Sequence, residues 1–196
     1  MKFSEIREHL SKFKVGIAGA GGLGSNCAVA LARTGVGTIV LCDYDIVDIS
    51  NLNRQYYFTE QAGMFKTEAL RDNIAGINPD TVIIAHNIEL TTQNIPEIFA
   101  GCDVIVEAFD RKEMKEMIAE TVQSKIPGIP LVMGSGLAGW GNTGSLKCRR
   151  IDNTLFVCGD EETEVSDELP PLAPRVGIVA NMQADIVVEL LMKTKR

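Results

Sequence analysis

The stretch KVGIAGAGGLGSNCAVALARTGVGTIVLCD most narrows what this chain can fold into. Lys14 to Ala18 reads as a short strand. The glycine run Gly19–Gly24 ends it, and Ser25 to Thr34 reads as a helix closed by Gly35 and Gly37. Gly19, Gly21 and Gly24 fit G-x-G-x-x-G in the strand–turn–helix setting where that pattern carries meaning. Gly19 allows the tight turn, Gly21 lets the backbone approach a phosphate, and Gly24 lets the helix pack close to the strand. The first amides of the helix then face an anion. Asp43 closes the second strand, Thr38 to Cys42, and its carboxylate can accept the ribose hydroxyl protons. By itself the fingerprint indicates an adenosine nucleotide. It leaves open a nicotinamide-binding dehydrogenase domain and a purely structural glycine turn.

The rest of the chain extends an alternating pattern. Residues 4–12 read as an amphipathic helix. Residues 43–62 form a long polar stretch with little periodicity, and connections of that length are usually functional or disordered. Lys66 to Ile77 reads as a helix stopped before Pro79, Thr81 to Ile88 as a strand, and Asn94 to Ala100 as a short helix. Asp103 to Ala108 reads as a buried strand, followed by a charged helix from Arg111 to Lys125 and a strand from Leu131 to Met133. Gly144–Arg150 and Thr154–Val157 look antiparallel. Residues 158–174 form an acidic loop, and Val176 to Met192 a final apolar helix. Alternating strands and helices predict an α/β fold: a doubly wound, Rossmann-like, mostly parallel sheet with a short antiparallel C-terminal addition. With 196 residues, the expectation is a single domain over 1–196.

A net charge of −7 and a pI near 4.9 argue against a nucleic-acid binder. The N-terminus lacks a signal-peptide core, and no apolar run approaches bilayer-spanning length. The expectation is a soluble cytoplasmic protein. The five cysteines, Cys27, Cys42, Cys102, Cys148 and Cys158, have no paired metal-ligand spacing, so no zinc is expected. Cys27, Cys42 and Cys102 fall in apolar patterns and read as core residues. His9 and His86 lack triad context. Met114, Met117, Ile118 and Val122 have the spacing of a helix's core face.

Downstream of Asp43 the motifs accumulate. Gly-Ala-Gly-Gly-Leu-Gly, Asp43-Tyr44-Asp45, Ser50-Asn51-Leu52-Asn53-Arg54-Gln55 and Gly63-Met64-Phe65-Lys66 follow in order. Together they resemble the ubiquitin-activating-enzyme superfamily, whose bacterial members include ThiF, MoeB and HesA. The resemblance runs from about residue 14 to residue 192, and this short chain is most similar to the ThiF-type enzymes. It implies Mg²⁺-ATP as the nucleotide, lying on Gly19, Gly21, Gly22 and Gly24. It also implies that Arg54 and Lys66 reach the triphosphate, and that Asn51 and Gln55 hydrogen-bond the nucleotide. Asp110, in DVIVEAFDRKE, matches the family aspartate that positions Mg²⁺, and it also suits the N-cap of the Arg111–Lys125 helix. The charges fit the chemistry. Arginine offers a planar donor fork and lysine a point charge, and fixed cations stabilise the charge growing on a departing pyrophosphate.

The resemblance implies an adenylyltransferase. It would activate the C-terminal glycine carboxylate of a small ubiquitin-like sulfur-carrier protein, ThiS-like and ending in Gly-Gly, within a homodimer. A separate donor would supply the sulfur. Carriers for molybdopterin or cysteine synthesis, and tRNA-modifying relatives, belong to the same superfamily. A nicotinamide-dependent oxidoreductase and a non-catalytic nucleotide-binding scaffold are the rival classes. Neither gives the Arg54 and Lys66 loop an obvious task.

Two features stand apart from the pattern. Many relatives carry two C-x-x-C pairs for zinc, and this chain has none. Larger relatives send an N-terminal arginine into the neighbouring subunit. Arg7 is the only arginine before the first strand, in the poorly matching context EIREHL. Some relatives also use a cysteine in the crossover loop to accept the carrier or a persulfide. Cys158, in FVCGDEETEVSDELPPLAPRV, is the candidate. A polar mobile loop would expose its thiol, while Asp160, Glu161, Glu162, Glu164 and Asp167 should raise its pKa. An incidental cysteine is the simpler reading.

Overall fold

A computed structural model describes residues 1–195; Arg196, the end of the expected 1–196 domain, lies outside them. In chain order the elements are α1 (Phe3–Leu10), β1 (Lys14–Ala18), α2 (Gly22–Thr34), β2 (Thr38–Cys42), α3 (Lys66–Ile77), β3 (Val82–His86), α4 (Ile95–Ile98), β4 (Val104–Glu107), α5 (Lys112–Lys125), β5 (Leu131–Gly134), β6 (Lys147–Arg150), β7 (Leu155–Gly159) and α6 (Ala173–Lys193). The sheet order is β3-β2-β1-β4-β5-β7-β6. All pairings are parallel except β6 against β7. The expected doubly wound sheet with an antiparallel addition is what forms, with one difference. β7 extends the parallel sheet beside β5, and only β6, on the edge, runs against it.

Two apolar layers sandwich the sheet. On one face Leu31, Val179 and Val187 join Ile17, Ile39 and Val106. On the other Ile95, Phe99 and Ile118 cover Val40, Ile105 and Leu131. Burying each large aliphatic side chain contributes about 1.5–3 kcal/mol, so both layers are needed to hold helices on both faces. Cys27, Cys42 and Cys102 lie in this core, as their patterns predict. Ile118 and Val122 are buried as expected, with Met114 and Met117 half-buried beside them.

Several boundaries differ for local reasons. The helix expected from Ser25 begins at Gly22, inside the glycine run, because the turn itself is already helical. The last helix begins at Ala173 with Pro174 in its first turn, where a missing N–H costs nothing. β3 starts one residue late because the Thr81 amide is spent on the Asn78 carbonyl in a turn, and the ladder begins with the Val82 amide donating to the Gly37 carbonyl at 2.9 Å. The helix expected at 94–100 is a single turn. Arg111, not Asp110, occupies the N-cap of α5, and no side chain caps that end, so the capping role expected of Asp110 is not realised. The 43–62 stretch is ordered by two 3₁₀ turns, Ile49–Asn51 and Thr59–Gln61.

The chain winds outward from β1 in both directions, to β2 and β3 on one side and to β4 and β5 on the other. The crevice at the C-terminal ends of β1 and β4 is therefore the topological switch point, where open α/β sheets receive ligands.

Candidate functional site

The glycine turn is shaped by two close approaches. Gly19 has φ +99°, and a Cβ there would come within 2.8 Å of the Ala108 carbonyl oxygen. A Cβ on Gly24 would lie 1.8 Å from the Gly19 carbonyl oxygen, so α2 starts directly on top of the end of β1. The first contact also fixes the glycine turn beside Ala108, two residues before Asp110, at the end of β4.

Asp43 sits under the turn. The Ala20 amide donates to one carboxylate oxygen at 2.6 Å, and the Asp45 amide donates to the other at 2.8 Å. Each oxygen keeps acceptor capacity for a ribose hydroxyl. Burial pushes the Asp43 carboxyl above the usual range, opposed by the Ala20 amide and the Lys66 charge. The Tyr57 hydroxyl donates to the Ala20 carbonyl at 2.6 Å and clamps the turn from behind.

The long loop folds over this turn. The Asn26 amide donates to the Gly22 carbonyl at 2.7 Å and to the Arg54 carbonyl at 2.9 Å. Ser25 Oγ accepts from the Tyr56 amide at 3.0 Å. These bonds hold Arg54 beside the glycines. A Cβ on Gly22 would meet Val176 of α6 at 3.0 Å and the Arg54 stem at 3.5 Å. The Arg54 guanidinium donates to the Asn51 and Asn53 side-chain oxygens, at 3.0 Å and 2.9 Å. Gln55 is 9% exposed and its Oε1 has no hydrogen-bond partner. A Cβ on Gly21 would lie 3.8 Å from Gln55 Nε2. An unpartnered buried acceptor is costly, so Gln55 suits a ligand that brings a donor.

Lys66 opens α3. Its Nζ donates to Asp45 at 2.7 Å, and its side chain is 7% exposed. Asp45 thus holds the lysine in place, and two of its three donors stay available. Asp110 is exposed at the end of β4. The fold therefore brings together Gly19, Gly21, Gly22, Gly24, Asp43, Asn51, Arg54 and Gln55, with Lys66 bordering Asp43 and Asp110 following the strand that abuts Gly19. No cluster of three or more His, Cys, Asp or Glu suited to a metal occurs among the described residues. Magnesium needs only one or two carboxylates when phosphate oxygens complete its shell, and Asp110 fits that donor set.

Arg7 and Cys158, the two residues that match the family pattern least, lie apart from this crevice, and a structural reading of Cys158 fits its burial. Arg7 donates to Asn78 at 2.7 Å and to Asp80 at 3.0 Å, at the end of the molecule from which the strands start. Its guanidinium is engaged within its own chain. Cys158 is not in a polar mobile loop. It lies in β7, fully buried, opposite Cys148. Its thiol is pushed up, but by the adjacent Cys148 first and burial second, not by the acidic run. Asp160 and Glu161 of that run are paired with Arg175 and Arg149.

Sequence reasoning also missed Glu107, the last residue of β4. It is fully buried and accepts from Lys115 Nζ at 2.9 and 3.1 Å and from the Phe109 amide at 2.6 Å. Burial pushes its carboxyl up, opposed by the Lys115 charge. A glutamate in an apolar run, with a lysine eight residues on, was the available signal. The buried Arg175–Asp160 pair, at 2.5 Å, ties the start of α6 to the loop after β7.

Comparison with known proteins places this geometry. The chain is 32% identical over 197 residues to "Adenylyltransferase and sulfurtransferase MOCS3" of Caenorhabditis briggsae, covering 95% of this chain and 48% of that protein. It is 43% identical over 94 residues to "Ubiquitin-like modifier-activating enzyme 5" of the same organism, covering 48% of this chain and 22% of that protein. The chain thus spans half or less of these curated relatives. Among solved structures, the Escherichia coli tRNA N6-threonylcarbamoyladenosine dehydratase TcdA in complex with AMP superposes with a TM-score of 0.83 at 22% identity. That match covers 96% of this chain and 89% of the other. The ThiF family model matches residues 3–196, and with the switch-point site built as described, the chain belongs to the ThiF family.

Proposed function

We propose that this chain is an ATP-dependent adenylyltransferase that activates the C-terminal carboxylate of a small ubiquitin-like sulfur-carrier protein. The observation that carries the reading is the convergence of the glycine turn, Asp43, the Arg54–Gln55 loop and the end of β4 at one crevice. The names of the MOCS3 and activating-enzyme relatives support the reaction class, and TcdA structures with AMP and with ATP support the nucleotide. A ThiS-like carrier of thiamine biosynthesis is the finer expectation; the relatives named above point to other carriers. A tRNA substrate, suggested by the TcdA likeness, sits poorly with a net charge of −7.

In this reading the phosphates lie on the turn at Gly21 and Gly22, Asp43 takes the ribose, and Gln55 takes a donor from the nucleotide. Arg54 and Lys66 face the β- and γ-phosphates. Asp110 would hold Mg²⁺, which neutralises phosphate charge when bound. The carrier's terminal carboxylate attacks the α-phosphorus. It needs no general base, because it is already ionised at neutral pH. A P–O bond forms to the carboxylate, the bond to the leaving oxygen breaks, and pyrophosphate departs, leaving an acyl-adenylate. The chain's contribution is orientation and fixed charge. The reading includes a homodimer and no zinc.

Pyrophosphate exchange into ATP tests this, run with Gly-Gly-ending carriers of several pathways. Arg54→Ala and Lys66→Ala should weaken ATP binding more than AMP binding and slow exchange even at saturating ATP, because charge on the leaving group grows in the transition state. Asp43→Ala should lower ATP and AMP affinity together. Asp110→Asn should keep the fold and lose about 10²-fold in exchange. Normal exchange at saturation in both cation variants would refute the phosphate clamp, and tight NAD binding without ATP binding would refute adenylation.

A further inference from the structure

Cys148 and Cys158 face each other directly across the antiparallel pair β6–β7. Opposed residues in such a pair have Cα atoms about 4.5–5.5 Å apart, inside the roughly 4.4–6.8 Å that a disulfide accepts. Their Sγ atoms are 2.8 Å apart. Cys148 is exposed on the edge strand, while Cys158 is fully buried beneath it. One thiol meets solvent, and the other meets the first.

We propose that Cys148 and Cys158 form a peroxide-reactive dithiol site that closes reversibly to a cross-strand disulfide. Cys148 is the attacking thiol. The neighbouring Cys158 thiol can donate to its sulfur, which holds the Cys148 thiol below its usual range. The other three cysteines are poor competitors. Burial pushes Cys27 and Cys42 up to about 12 and Cys102 up to about 11, and the thiolate is the reactive form. Asp185 and Glu189 lie near Cys148 and disfavour its thiolate. The same acids repel anionic oxidants and leave a small neutral peroxide as the favoured reagent.

The chemistry balances in two steps. The Cys148 thiolate attacks one peroxide oxygen, the O–O bond breaks, and the departing hydroxide takes a proton to become water. Cys148 is then a sulfenic acid. The Cys158 sulfur attacks the Cys148 sulfur, the S–O bond breaks, and the leaving hydroxide departs with the Cys158 proton as a second water. Two thiols lose two electrons in total, and one hydrogen peroxide is reduced to two waters. Cys158 needs no access to solvent, because its target is the adjacent sulfur. The bond pins the edge strand β6 to β7, the strand that leads into the buried Asp160–Arg175 pair.

The test treats the full chain with hydrogen peroxide, alkylates the remaining thiols under denaturing conditions and digests with trypsin. Cleavage falls after Lys147, Arg149 and Arg150, so a disulfide joins the dipeptide Cys148–Arg149 to the fragment 151–175. That linked pair should appear, lighter by two hydrogens than the two thiol peptides together, and dithiothreitol should restore both. Both thiols should be lost together, about tenfold or more faster than Cys27. Cys148→Ser should abolish the link and leave Cys158 alkylatable, and Cys158→Ser should leave Cys148 as a sulfenic acid trapped by dimedone. Wild-type protein in which Cys148 proceeds to sulfinic acid while Cys158 stays a thiol would overturn the proposal. So would protein in which both remain alkylatable after Cys27 has reacted.

Discussion

Glu107→Gln removes the one carboxylate buried at the end of β4, and its cost follows from the bonds that carboxylate accepts. One oxygen takes the Phe109 amide at 2.6 Å and Lys115 at 2.9 Å; the other takes Lys115 at 3.1 Å and the Gly134 amide at 3.4 Å. All of these groups are donors. A glutamine has one acceptor oxygen, so in either orientation its NH₂ faces a backbone N–H or the lysine. Lys115 also loses its counter-charge. Breaking a buried ion pair from one side costs about 3–5 kcal/mol. The Lys115 side chain retains 22% exposure, so water relieves part of that cost, and about 3 kcal/mol is expected. For a chain of this size that is a fall in Tm of about 6–12 °C, read by circular dichroism at pH 7. Adding Lys115→Met should recover part of the loss, since no unpaired charge is then left behind. A Glu107→Gln protein within about 0.5 kcal/mol of wild type, the range of an ordinary surface change, would refute the reasoning.

Two glycines should separate sharply. Gly24→Ala puts a Cβ against the Gly19 carbonyl and should destabilise by about 3 kcal/mol or more and abolish nucleotide binding. Gly177→Ala in α6 meets nothing within 4 Å and should stabilise by about 0.5–1 kcal/mol in urea unfolding. Asp160 carries a pH signature. Burial pushes its carboxyl up, but the Thr163 and Glu162 amides, the Thr163 hydroxyl and Arg175 outweigh this and hold it below the usual range. A lowered folded pKa contributes stability above the unfolded value, about 3.9, that is lost as pH falls through the folded one. Wild type should therefore exceed Asp160→Asn by a constant margin near neutrality, and that margin should shrink only below about pH 4; a margin that shrinks as pH rises would show the sign to be wrong.

The parts legible in the sequence are those whose cause is local. The glycine turn could be read because Gly19, Gly21 and Gly24 sit at fixed offsets between a strand and a helix. The alternation that gives the parallel sheet is likewise written into short apolar runs. Asp43, Arg54, Lys66 and Asp110 stand out in the sequence through motif order and the family resemblance; in the fold Lys66 borders Asp43, Arg54 packs beside Gly22, and Asp110 follows the strand that abuts Gly19. Other features depend on which strands become neighbours, which the chain decides only on folding. The pairing of Cys148 with Cys158 rests on the β6–β7 register, where a shift of one residue would turn the two sulfurs to opposite faces. Glu107 stands in an apolar run, but its pairing with Lys115, like that of Arg175 with Asp160, forms only when strand, loop and helix come together. Arg7 is claimed by Asn78 and Asp80, about seventy residues away, a distance across which no periodicity carries information. The sequence by itself determined the glycine turn and the alternation of strands with helices, because backbone sterics and apolar period act over a few residues. Tertiary structure decided which thiols meet and which charges are buried, because register and burial are properties of contacts between distant segments.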